Sequence, residues 1–231
     1  DCINGFAQYD SNKRWIYFLA LVTSGVKGNE YLTYVISKSK TFDDFIMQAF
    51  CAILKIPVGD PNFQKYYDER KVITSNLTDY SDSLDCFCKQ VYGKEEYAIL
   101  YLTDNTRKEK EHIIELIGKY KYSASQLAEI LPRVYSDLAT YLKPYNYSND
   151  FLNRYFTQYK YCKVINSISD EMTQMVAEQS VKREYNVWLQ PRSVYVDKFE
   201  KNPAKSVLYF MDAMGAEYLG YLQSKCFDNG L

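Results

Sequence analysis

Apolar positions recur three and four residues apart along most of the chain, the spacing of one face of a helix. The clearest case follows Thr41, where Phe42, Phe45, Ile46, Ala49, Phe50, Ile53 and Leu54 keep that spacing behind an N-cap residue. Residues 15–23 form a continuous apolar run, too long for a typical strand and closed by Ser24 and Gly25. This run predicts a buried helix ending at a glycine stop. Further helices are expected over residues 30–39, over residues 62–75 with Pro61 in the first turn, and over residues 84–91 inside a polar stretch. Residues 124–141 read as a helix kinked or divided at Pro132. Leu152, Tyr155, Phe156, Tyr159, Cys162, Ile165, Ile168, Met172, Met175, Val176 and Gln179 trace a stripe across residues 149–187, where no Pro or Gly intervenes. A helix of that length exceeds the usual globular range, which favours a break near residues 167–170.

Two short runs read as strands instead, residues 96–102 and residues 207–211, and each leads into a helix. Parallel pairing is therefore the expectation, because such pairing requires a long crossover. After the first run, Thr106 and Glu109 match a capping box for a helix reaching about Tyr120, and Asp104 reads as part of the same cap. The second run stops at Asp212, before a helix over residues 215–222. Ligands in sheets of this kind collect just past the carboxyl ends of strands. From the residues alone, Asp212 is equally a helix cap and a ligand-binding carboxylate. An unpaired apolar final strand would invite association with a second copy of the chain. The expected fold is mainly α with a minor β component. Residues 1–200 form a helical domain with one embedded strand-helix unit over residues 96–120, and residues 201–231 begin a second, α/β domain.

Composition narrows the function classes. A chain of 231 residues with 47% hydrophobic and 25% charged residues has the balance of an ordinary globular protein. Its formal net charge of -1 gives no global attraction to nucleic acid or to an anionic membrane. The alternating rings and bases from Arg154 to Lys163 would suit stacked bases, but at helical spacing this is more often a packed face with a solvated edge. The 24 tyrosines recur inside helical patterns, where a ring is buried and its hydroxyl finds a partner. The six cysteines lack the dense spacing of a disulfide framework and read as reduced thiols, which points to the cytoplasm. Cys86 and Cys88 could share a metal, but no second pair lies nearby to complete a four-ligand zinc site. His112, the single histidine, sits beside Ile113 and Ile114 and reads as structural. No apolar run approaches the roughly 20 residues that span a bilayer, so no membrane is expected.

Several stretches, taken in order, resemble the PglZ family of bacterial BREX phage-defence systems, most closely the type 4 form. They are Gly28-Asn-Glu-Tyr-Leu32, Asp68-Glu-Arg-Lys71, Tyr101-Leu-Thr-Asp-Asn-Thr106, Tyr155-Phe-Thr-Gln-Tyr-Lys160, Arg183-Glu-Tyr-Asn186, Leu189-Gln-Pro-Arg192 and Leu208-Tyr-Phe-Met-Asp-Ala-Met-Gly-Ala-Glu-Tyr-Leu219. The resemblance spans nearly the whole chain and implies membership of the alkaline-phosphatase superfamily, a group of metal-dependent phosphatases and phosphodiesterases. By position, Asp212 would be the aspartate that ends the first core strand and binds a catalytic divalent metal, zinc or another cation. Such a metal polarises a phosphoryl oxygen and activates the nucleophile. The remaining ligands and the nucleophile are expected beyond Leu231, since the chain opens on Asp1 rather than Met and reads as a segment of a longer protein. That segment is expected to hold no metal tightly and to be inactive alone. The implied partners are other BREX proteins. The competing readings are a helical scaffold for their assembly and a DNA-binding module.

Overall fold

The structure, a computed structural model, describes residues 2–188, 192–205, 207, 211 and 214–231. The chain divides into two compact units, Asp1–Ser136 and Asp137–Leu231. The boundary expected near residue 200 thus lies inside the second unit. The fold is mainly α, as the periodicity predicts, and among the described residues there is no strand.

The first unit is built from α1 (Ser11–Ser24), α2 (Glu30–Lys38), α3 (Phe42–Cys51), α4 (Phe63–Thr74), α5 (Ser81–Val91), α6 (Arg107–Tyr120) and α7 (Ala124–Val134). Side-chain caps explain where five of these seven helices begin, all but α4 and α5. Asp10 accepts from the Lys13 amide at 2.9 Å, Asn29 from the Leu32 amide at 2.6 Å, and Thr41 and Asp44 form a reciprocal capping box. Gly25, at φ 72, ends α1 where the sequence places the stop. The core buries Phe45 and Phe50 of α3, Tyr67 and Ile73 of α4, Phe87 of α5, and Ile113 and Ile117 of α6. Buried tyrosines bring their own partners: the Tyr31 hydroxyl donates to the Ala49 carbonyl at 3.1 Å and accepts from the Ile53 amide at 3.1 Å.

Three expectations fail here. Residues 96–102 are not a strand; they belong to 3-10 turns over Tyr92–Tyr101, interrupted at Glu95, whose φ is 52. A short apolar run carries no period that separates a buried strand from buried helical turns, and here burial of Ala98, Ile99 and Tyr101 settles it. With that strand goes the expected parallel pair. Helix α1 forms as predicted but is not buried: Phe18 is its one buried residue. The capping box at Thr106 is half made, because the Thr106 hydroxyl accepts from the Glu109 amide at 3.1 Å while the Glu109 carboxylate turns inward.

Helix α8 (Ser136–Leu142) opens at the junction of the units; α7 runs through Pro132, and the chain leaves helical geometry only at Tyr135, so the helix divides after the proline rather than at it. The second unit continues with α9 (Asp150–Val164), α10 (Asp170–Lys182), α11 (Tyr185–Trp188), α12 (Arg192–Glu200) and α13 (Leu219–Asp228). The long stripe breaks between α9 and α10, as its length suggests, with Asn166 at φ 49 and Ser169 capping α10. Between that stripe and residue 207, Arg192–Glu200 form α12. Val207 and Met211 are exposed and carry no regular structure, while 208–210 lie outside the described residues. Self-association through an exposed final strand therefore has no strand in the described chain to rest on. Gly215 holds the N-cap position of a 3-10 turn, Ala216–Tyr218, that leads into α13. Gly220 is required by close approach, since a Cβ there would stand 3.0 Å from the Lys143 carbonyl oxygen.

Candidate functional site

Three places concentrate polar chemistry or exposed apolar surface. The first is a buried cluster between α4 and the turn leading into α6. Arg70 is fully buried, donates through Nε to the Phe50 carbonyl at 3.1 Å and through Nη1 to the Tyr101 carbonyl at 3.2 Å, and lies 4.2 Å over the Phe87 ring. Its Nη2 stands 3.6 Å from the buried Glu109 carboxylate and makes no hydrogen bond. Glu109 in turn accepts from the Thr103 amide at 3.2 Å, and from the Thr103 and Thr106 hydroxyls at 3.1 Å each. Asn105 reaches back to the Lys71 carbonyl at 2.7 Å and the Thr74 hydroxyl at 2.9 Å, and Tyr67 donates to the Leu102 carbonyl at 2.6 Å. Apart from the Arg70 bond to the Phe50 carbonyl, which ties α4 to α3, these bonds tie α4 and α6 to residues 101–106. Both charged side chains are fully out of water, and the cluster fastens the unit.

Asp104 belongs to the same fastening. It pairs with Lys71 at 2.6 Å and accepts from the Ser136 amide and hydroxyl at 3.2 Å each. Burial alone would raise its pKa; the Lys71 ammonium and the two Ser136 hydrogen bonds outweigh that and hold it below the ordinary value. The cap reading for Asp104 is thus corrected in detail: the α6 cap is Thr106, and Asp104 ties two segments of the unit together. His112 packs edge-on against Tyr92, with Nδ1 2.6 Å from the Tyr92 hydroxyl and 3.0 Å from Glu115. Tyr92 also donates to Glu115. Burial raises the Tyr92 pKa and the Glu115 charge adds to it, so this hydroxyl is not primed as a nucleophile. Cys51, Cys86, Cys88, Cys162 and Cys226 are free thiols. Burial pushes Cys51 and Cys88 up to about 12, which leaves both protonated at neutral pH.

The second place is α1. Trp15, Ile16, Leu19 and Val22 are 53%, 60%, 37% and 50% exposed, and at spacings of three and four they form one apolar face on the surface. The third is a groove in the second unit, a cavity of about 510 Å³ bordered by α9, α10 and the 3-10 turn before α13. Phe151, Tyr155 and Tyr159, four residues apart on α9, stack with centroids 6.2 and 6.0 Å apart and planes within 13° and 12°. Met175 and Val176 face them from α10, and Glu217 lines the same cavity. The Glu217 side chain is held by the turn around it: the Tyr147 hydroxyl donates to the Ala216 carbonyl at 2.7 Å, and Gly215 leaves room for the carboxylate, whose Oε2 would lie 1.9 Å from a Cβ there. Glu217 Oε1 is 3.4 Å from Lys163.

The same geometry bears on nucleic acid. Arg154 pairs with Glu171 at 2.9 Å, Lys163 pairs with Glu217, and Lys160 is buried with its ammonium on the Lys143 carbonyl at 2.5 Å. The bases of the stripe are engaged rather than arrayed along a groove. Asp212 lies outside the described residues. Among the described residues, no three His, Cys, Asp or Glu side chains come together to hold a metal ion, so they supply no donor set for the divalent cation the resemblance implies. No helix among them is long and apolar enough to cross a membrane.

Sequence reasoning singled out neither Arg70 nor Glu217. Both stand inside stretches that carry the resemblance, and each meets another such stretch in space: Arg70 the 101–106 turn, and Glu217 the α9 helix of Tyr155 to Lys160, through Lys163 one turn further on. The model of the family DUF7863, described as a domain of unknown function, matches residues 1–120, just over half of the 231-residue chain, which therefore belongs to that family. The match ends with α6, inside the first unit. No curated protein and no solved structure matches the chain.

Proposed function

We propose that this member of the DUF7863 family is the helical region of a PglZ-like protein of a BREX defence system, and that it works there as a binding scaffold. The observation that carries the scaffold reading is the α1 face, where Trp15, Ile16, Leu19 and Val22 remain in water. Contiguous exposed apolar surface of this kind marks protein contact sites. A continuous apolar run is also an expensive thing to leave on a surface, because it favours association with any apolar partner. The reading is strengthened by the fate of the resemblance-bearing residues: Arg70, Lys71, Asp104 and Asn105 hold the first unit together. The partner in this proposal is another BREX protein.

The test uses the intact protein with the other components of its defence system. Trp15→Glu combined with Leu19→Glu is expected to remove co-purification with them while circular dichroism and melting of the protein stay as in the wild type. Retained assembly would contradict the proposal. Metal-dependent phosphoryl hydrolysis, assigned through the resemblance to Asp212, is proposed for the full-length protein only. For the present chain the expectation is no turnover of a phosphodiester with added zinc; robust turnover that is lost in Asp212→Ala would overturn this.

A further inference from the structure

We propose that the groove beside α9 is a binding site for a small organic amine, an ammonium group carried on an aromatic body. This inference does not rest on the scaffold reading. Cavities of this size that hold ligands are mostly apolar, with a few polar groups that fix orientation, and the lining has that composition. Its α9 wall is the stacked row Phe151, Tyr155 and Tyr159, and Met175 and Val176 face it. An aromatic ring fits against such a wall, and a cation is attracted to the electron-rich faces of the rings.

The polar side of the lining decides the sign of the ligand. Gln179 is already engaged at both ends of its amide: its nitrogen donates to Glu184 at 3.1 Å and its oxygen accepts from the Glu184 amide at 3.1 Å. Ser180 donates to the Ala177 carbonyl at 2.7 Å. Glu217, 8% exposed, is different. A carboxylate only accepts hydrogen bonds, and Oε2 receives none from the described residues, while Oε1 has the 3.4 Å approach of Lys163 alone. Lys163 is itself nearly half exposed, at 47%, and leans on the Tyr159 and Tyr218 rings. A carboxylate whose Oε2 the described residues leave free to accept, in a cavity lined by no Lys or Arg, favours a charged donor over a neutral one. Lys160 stands close enough to feel the Glu217 charge, but its ammonium faces the Lys143 carbonyl rather than the groove. It lowers the attraction for a second cation, so a weak, charge-dependent site is the expectation.

The probes are 2-phenylethylamine, protonated at neutral pH, and its neutral isostere 2-phenylethanol, titrated into the chain and followed by chemical-shift changes of the groove tyrosines. The amine is expected to bind at least about tenfold more tightly than the alcohol, as befits a charge-assisted bond in place of a neutral one. Glu217→Gln should remove that preference. Lys163→Met should tighten amine binding several-fold, because it frees Oε1; a variant that merely damaged the unit would weaken binding instead. Equal binding of amine and alcohol, binding of neither, or no gain in Lys163→Met would overturn the assignment.

Discussion

In the first unit the Arg70–Glu109 pair lies wholly out of water, with backbone carbonyls and threonine groups around it; in the second, the Glu217 carboxylate is almost as buried but faces a cavity and a lysine that is nearly half exposed. Burying charge is unfavourable in both places, and what offsets it differs. Arg70 and Glu109 are offset by a full set of fixed partners, apart from Nη2, so their arrangement has nothing left to offer a ligand. Glu217 has an oxygen without a donor among the described residues, and its surroundings are aromatic surface. One site is closed chemistry that sets a fold, and the other is open chemistry that can receive something.

The sharpest way to break this contrast is at Arg70. Arg70→Met leaves Glu109 charged and buried without its partner, and should destabilise the first unit by about 3–5 kcal/mol. Adding Glu109→Gln should recover part of that loss, and urea denaturation of the two variants measures it. A loss below about 1 kcal/mol for Arg70→Met would mean that water reaches the pair. The second unit is expected to respond most at Gly215. Gly215→Ala puts a Cβ where the Glu217 carboxylate now lies; the flexible side chain must swing aside, so the cost should stay near the low end for overpacking, about 1 kcal/mol. Fluorescence of Trp188, which packs against Phe151, reports it locally.

Acid should act on the first unit at Asp104. Its folded pKa lies below the unfolded value, so its contribution is present above about pH 3.9 and is lost as pH falls through the folded pKa. Asp104→Asn should flatten that part of the acid denaturation curve and cost roughly 1 kcal/mol at neutral pH; an unchanged curve would remove Asp104 from the fastening. The smallest effect has the opposite sign. The Tyr141 hydroxyl is buried without a hydrogen-bond partner among the described residues, and burial raises its pKa. Tyr141→Phe should therefore be neutral or stabilise the second unit by up to about 1 kcal/mol in a thermal melt. A clear loss would point to a donor or acceptor at that hydroxyl.

Local signals in the chain were enough for most helices and their caps, because Asp10, Asn29, Thr41 and Ser169 act on amides three residues away. They failed where the outcome depends on distant partners. Residues 96–102 carry an apolar run whose conformation is decided by what covers Ala98, Ile99 and Tyr101. Glu109 matched a cap by spacing, yet its carboxylate serves Thr103 and Arg70, which no local rule anticipates. Arg70 and Lys160 are of residue types that are mostly exposed, so nothing local marks their burial. The exposure of α1 was hidden for the converse reason, since an apolar run normally predicts burial. At Glu217 a usable signal existed: Gly215 two residues earlier is what a carboxylate folded back on its own backbone requires.

The proposal that the chain acts by binding through α1 is tested most directly at Trp15. In a Trp188→Phe chain, Trp15 is the single tryptophan left of the two, and its quenching by acrylamide can be followed alone and in the assembled defence complex. The account predicts free quenching in the isolated chain, and marked protection with a blue-shifted emission once the complex forms. Equal quenching in both states, with the complex intact, would contradict it.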